Sequence, residues 1–163
     1  MKLIGVADTT FARFDMAASF ISEIGNIGDG YRIERYTVPG IKDLPVACKK
    51  LFDERNCDLI AALGMPGPKP IDKQCAHEAS MGLISVQLMV NKHIIEVFVH
   101  EDEAGNDSEL SSLADRRARD HAVSAYDILF RQKALQARAG SGKRQGKSDA
   151  GSVETGSYGR KSD

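Results

Sequence analysis

The stretch Val38-Pro39-Gly40-Ile41-Lys42-Asp43-Leu44-Pro45-Val46-Ala47-Cys48-Lys49-Lys50-Leu51 reads as the end of a strand, a Pro-Gly corner and the start of a helix. Asp43 is the expected cap, its carboxylate accepting from the free N–H groups of the first helical turn. Leu44, Ala47, Cys48, Leu51 and Phe52 then recur at helical spacing and make one apolar face. The corner thus lies at the carboxyl end of a strand and the amino end of a helix, where open α/β sheets bind ligands. It is equally the ordinary way to join a strand to a helix, so on its own it leaves both readings open.

Outward from this corner the same alternation repeats. Leu3 to Ala7 is a short apolar run and predicts a buried strand. Asp8-Thr9-Thr10-Phe11 follows as a loop, and a helix is expected from about Arg13, with Met16, Ala17, Phe20, Ile21 and Ile24 inward. The glycine-rich run from Gly25 to Gly30 is expected to end it. Tyr31 to Val38 mixes aromatic and β-branched residues with charges, the pattern of an exposed edge strand. After the corner helix, Leu59 to Leu63 is a third apolar strand. Gly64-Met65-Pro66-Gly67-Pro68-Lys69-Pro70 is a proline-stiffened loop that lacks the Gly-Lys-Ser/Thr of a P-loop. A long helix from about Asp72 to Val90 carries one stripe of Cys75, Ala79, Leu83, Val86 and Val90. A second apolar side of Met81, Ile84 and Leu88 suits a partner subunit. Ile94 to Val99 is the fourth strand, and a last helix starts near Asp107 or Ser108.

Strand and helix alternating four times imply a parallel sheet covered by helices on both faces. Four loops then share one edge: Asp8 to Phe11, Pro39 to Asp43, Gly64 to Pro70, and His100 to Glu103. Four unusual loops on one edge favour a binding site more than any single one does. From Gly140 onward the chain turns to Gly, Ser and charge, with too little apolar surface to offset its ordering entropy. Two units are therefore expected, an α/β domain over 1–139 and a disordered tail over 140–163.

Bulk properties narrow the function. A chain of 163 residues, 42% hydrophobic and 28% charged, suits one globular core. A net charge of −1 favours neither nucleic acid nor an anionic membrane surface. No apolar run reaches the roughly 18 residues that would span a bilayer. The three cysteines, Cys48, Cys57 and Cys75, are odd in number and lack C-x-x-C spacing, so neither disulfides nor zinc is implied. The N-terminus enters a strand at once without a signal-peptide layout, and the cytoplasm is the expected compartment.

Several blocks together resemble the lumazine synthase family. Val38-Pro39-Gly40 followed by Leu44-Pro45-Val46-Ala47-Cys48-Lys49-Lys50-Leu51 is similar to its ribityl-binding segment. Cys57 to Gly64 resembles its strand ending at the pyrimidine site, and His77-Glu78-Ala79-Ser80-Met81-Gly82-Leu83 its Gly-Glu-Ala-Ser-x-Gly-Leu helix. Two departures matter. Ile71 stands where lumazine synthases carry a proton-transfer histidine. Glu101-Asp102-Glu103-Ala104-Gly105-Asn106-Asp107, acidic and repulsive to phosphate, replaces the region of their phosphate-binding arginine. Gly64-Met65-Pro66-Gly67 and Glu96-Val97-Phe98-Val99-His100 resemble the archaeal-type riboflavin synthases built on the same fold.

The resemblance implies a three-layer α/β/α domain with a four-stranded parallel sheet in order 2-1-3-4, assembled as a homopentamer. It implies the conversion of two 6,7-dimethyl-8-ribityllumazine molecules into riboflavin and 5-amino-6-(D-ribitylamino)uracil. No cofactor is needed for that chemistry, although an Mg²⁺ or Mn²⁺ effect is an option for the acidic loop at His100 to Glu103. It points to His77 first and His100 second for proton transfer, both suited by an imidazole pKa of about 6.5. Thr9, Thr10, Phe11, Gly40, Ile41 and Asp43 are expected to meet substrate, as are Gly64, Met65, Pro66, Glu78, Val97 and Phe98. Phe11 and Phe98 would stack on the flat ring or merely fill the core; Lys42 and Lys69 are expected to be solvated unless they face a neighbouring subunit. No protein metal site is expected, since a metalloprotease reading of His77-Glu78 fails at Met81. The alternatives are a 6,7-dimethyl-8-ribityllumazine synthase and a non-catalytic lumazine or flavin carrier. A receiver-type signalling domain would need an acidic cluster beside Asp8, which stands alone.

Overall fold

A computed structural model describes residues 1–153. Its strands are β1 (Lys2–Thr9), β2 (Tyr31–Val38), β3 (Leu59–Gly64) and β4 (Ile94–Phe98), all parallel in the order β2-β1-β3-β4. Its helices are α1 (Met16–Ile27), α2 (Leu44–Asp53), α3 (Pro70–Val90), α4 (Asp107–Phe130) and the short α5 (Gln132–Ala137). The three-layer α/β/α architecture and strand order are those expected from the sequence.

Side chains leave a strand on alternate faces, so each strand feeds two cores. Ile4, Val6, Leu59, Ala61, Leu63, Ile95 and Val97 pack under α1 and α4. Ala7, Ile60, Ala62 and Ile94 pack under α2 and α3, with Leu44, Ala47, Cys48, Leu51 and Phe52 of the corner helix. β2 and β4 form the two sheet edges. All six residues of central β3 are buried, whereas β2 is largely open to solvent.

Local chemistry moves several expected boundaries. α1 begins at Met16, not near Arg13, because Asp15 is its cap and accepts from the Ala18 N–H at 3.0 Å. It runs through Gly25 to Ile27. An interior glycine costs about 1 kcal/mol relative to alanine, which the complete burial of neighbouring Ile24 outweighs. α3 starts at Pro70, where the missing N–H would have had no helical partner. Asp43 does not cap α2 with its side chain. A 3-10 turn over Ile41–Asp43 comes first, and the Asp43 carboxylate turns back to accept from the Gly40 N–H at 3.0 Å.

Of the tail expected over 140–163, residues 154–163 lie outside the described residues. Through 140–153 there is no helix or strand, yet Gly146 is buried and its carbonyl accepts from Arg117 Nε on α4 at 3.3 Å. Its φ of +68° suits glycine. A Cβ there would stand 2.7 Å from His121 Cε1 and 2.8 Å from Arg117 Cγ.

Candidate active site

The loops at the carboxyl ends of the strands are stitched in pairs by their backbones, that after β1 to that after β2 and that after β4 to that after β3. The Thr10 N–H donates to the Val38 carbonyl at 2.9 Å and the Phe11 N–H to the Pro39 carbonyl at 3.1 Å. In the second pair, the Glu101 N–H after β4 donates to the Pro66 carbonyl after β3 at 3.0 Å. Between these loops lies a cavity of about 240 Å³, lined by Phe11, Gly40, Ile41, Lys42, Asp43, Pro66 and Gly67 and by Asp72 and Cys75 from the start of α3. A ring face, aliphatic carbons and a few convergent polar groups suit a flat heterocycle with a hydroxylated chain.

Gly64 is what lets the walls close. A Cβ at this position would lie 3.0 Å from Ile41 Cδ1 and 3.1 Å from Phe98 Cε1. Phe98 thus stands just behind the cavity, against Ile41. Met65 and Val97 are buried in the core beneath α1 and α4, so their side chains face away from it. Thr9 and Thr10 border a separate groove of about 400 Å³ beside the cavity, with Asp8, Arg35 and Thr37. There buried Asp8 accepts from Arg35 Nη2 and Thr37 Oγ1, each at 2.6 Å.

Lys42 is not simply solvated. It lines the cavity, and its Nζ lies 2.7 Å from Glu78 Oε2. The Lys42 ammonium and the Gln74 amide, at 3.0 Å, hold the Glu78 carboxyl below its ordinary pKa. His77, the next residue back, is exposed on the outer face of α3 and lies apart from the cavity lining. His100 begins a 3-10 turn over Glu101–Glu103. Its N–H donates to Glu103 Oε2 at 2.8 Å, and its buried Nδ1 has no partner among the described residues.

Each carboxylate of the acidic loop has a basic partner. Glu101 pairs with Arg13 at 3.4 Å, Asp102 with Lys73, and Glu103 with Arg117 at 2.7 Å. Among the described residues no three His, Cys, Asp or Glu side chains converge to hold a metal ion.

Sequence reasoning passed over Asp72 and Cys75, read there only as a helix start and an apolar stripe. It also passed over Glu96, whose partly buried carboxylate accepts from the Ser80 hydroxyl of α3. The available signal was a lone charge inside the apolar run Ile94 to Val99.

The sequence profile of the 6,7-dimethyl-8-ribityllumazine synthase family matches residues 3–133. The chain belongs to that family. Its relatives include the riboflavin synthase of Methanothermobacter marburgensis, 57% identical over 151 residues, covering 93% of this chain and 99% of the relative. The riboflavin synthase of Archaeoglobus fulgidus is 48% identical, covering 92% and 97%. That of Aeropyrum pernix is 44% identical, covering 94% and 99%. These matches leave too few residues outside them to stop at α5, so these members of the lumazine synthase family carry counterparts to part of the segment after it.

Proposed function

We propose that the chain is a riboflavin synthase, joining two 6,7-dimethyl-8-ribityllumazine molecules to give riboflavin and 5-amino-6-(D-ribitylamino)uracil. The observation that carries this reading is the match to three proteins of that name at 44–57% identity over nearly their whole lengths and this one. Two departures support it. Ile71 replaces the proton-transfer histidine of lumazine synthases, and the acidic loop at Glu101–Glu103 suits a substrate without phosphate.

One lumazine lies with its ring between Phe11, Ile41 and Pro66, and its ribityl hydroxyls reach Asp43, Lys42 and the Gly40 backbone. The first turns of α3 contribute Asp72 and Cys75 to the cavity, and the helix continues to an uncovered outer face. There Met81, Ile84, Leu88 and Met89 are all exposed, and a second copy covers them in a homopentameric ring. His77 stands on that face and reaches substrate only across such a contact. The compartment is the cytoplasm, consistent with three unpaired thiols. Among the described residues no helix is long and apolar enough to cross a membrane.

The test is to supply dimethylribityllumazine as the sole substrate and follow flavin absorbance, with chromatographic identification of both products. Riboflavin and the ribitylamino-pyrimidinedione in equal amounts are expected. The family profile's own description favours a second reading, lumazine synthase. Formation of lumazine from the pyrimidinedione and butanone phosphate, with no riboflavin, would establish that instead.

A further inference from the structure

α3 opens against the cavity, and the positive end of a 21-residue helix ordinarily attracts an anion. In this chain that place is already taken. Pro70, the first helical residue, has no N–H to offer. The Asp72 and Lys73 N–H groups donate to the Lys69 carbonyl at 3.0 and 3.2 Å, and the Lys69 N–H donates to Asp72 Oδ2 at 3.1 Å. The Asp72 carboxylate is thus the helix start's own anion. Gly67 makes room for it, since a Cβ on Gly67 would stand 2.5 Å from Asp72 Oδ2.

Asp72 lines the same hollow as Phe11, Ile41 and Asp43, where the substrate ring and its ribityl chain are seated. The charge there is negative on balance. Among the described residues, Lys42 is the one basic side chain in the lining, and it is paired with Glu78 at 2.7 Å. Lys73, one residue beyond Asp72, pairs with Asp102. Asp43 accepts from the Gly40 N–H at 3.0 Å, and among the described residues neither Asp43 nor Asp72 has a basic partner. A hydroxyl can donate to such carboxylates, whereas a phosphate brings like charge and acceptor oxygens.

We propose that Asp72 is a specificity-determining residue of this cavity, admitting a lumazine or flavin with free ribityl hydroxyls and rejecting its phosphate ester. The inference rests on the riboflavin synthase reading above and adds to it the residue that sets the substrate class. Its action is electrostatic. The carboxylate is held by the Lys69 N–H in its seat over Gly67, so turning aside from a phosphate would cost it that hydrogen bond.

The test titrates riboflavin and riboflavin 5′-phosphate, separately, against the full chain and follows the change in flavin fluorescence. Wild type is expected to hold riboflavin more tightly than its phosphate, by on the order of tenfold or more. Asp72→Asn keeps an oxygen for the Lys69 N–H and removes the charge. It should narrow that ratio by about tenfold, chiefly through gained affinity for the phosphate. Asp72→Glu restores the charge and should restore most of the discrimination. High salt should narrow the wild-type ratio and affect that of Asp72→Asn less. Equal wild-type affinity for the two flavins, or an Asp72→Asn ratio equal to that of wild type, would overturn the assignment. Wild-type protein that makes no riboflavin from lumazine alone would instead overturn the reading of the reaction.

Discussion

Lys42 Nζ and Glu78 Oε2 meet at 2.7 Å, tying the turn ahead of α2 to the outer side of α3 beside the cavity. The depressed Glu78 pKa has a signed consequence for stability. A carboxyl whose folded pKa is lowered adds stability above its unfolded value, about 4.3 for Glu, and loses it as pH falls through the folded value. Glu78→Gln should therefore melt below wild type at neutral pH, with the gap closing as pH drops under about 4. Both side chains are substantially exposed, so the gap should be small and should shrink in high salt. Thermal melts across a pH series at two salt concentrations measure it.

Gly64 is the tightest point behind the site. Gly64→Val would drive branched carbons into Ile41 and Phe98. The expected cost is about 1–3 kcal/mol, as for other overpacked cores, together with a raised KM because Ile41 is displaced into the cavity. Urea denaturation and steady-state kinetics on the same protein would separate the two effects.

The three thiols should react in a definite order. Burial pushes Cys48 up to about 12 and Cys57 up to about 11, so neither offers much thiolate at neutral pH. Cys75 is only partly buried and lines the cavity. Brief iodoacetamide treatment should label Cys75 first, slow turnover, and be slowed itself by lumazine. Peptide mass mapping with and without substrate reads this out.

Assembly has a direct probe in Leu88, 79% exposed on the outer face of α3. Leu88→Glu places a charge where a neighbouring copy would bury an apolar side chain, and should dissociate the proposed ring with little effect on the melting of the single chain. Sedimentation velocity of the variant against wild type is the measurement.

Much of this fold was legible because its signals are local and redundant. Leu3 to Ala7 and Leu59 to Leu63 are too apolar to be anything but buried, and the alternating order admits few topologies. The loops around the cavity could be found because chain direction alone puts them on one edge, and Phe11, Gly40, Ile41, Asp43 and Pro66 do line one cavity there. Details that depend on three-dimensional neighbours were not legible. Asp43 has the chemistry of a helix cap, but the preceding 3-10 turn redirects it to Gly40. The Ser80–Glu96 pair joins residues of different elements, and neither neighbourhood names the other. Gly146 looks like any flexible glycine until α4 supplies Arg117 and His121 as its seat.

The two edges of the sheet are guarded in different ways. Along β2 the charges Arg32, Glu34 and Arg35 discourage a foreign strand from pairing. β4 carries only Glu96 among its apolar side chains, and Gln145 and Lys147 lie beside it, held there by the Gly146 carbonyl. The segment after α5 is therefore expected to hinder a foreign strand from reaching β4. A shortened chain would fold with its core complete and still be prone to clump on storage.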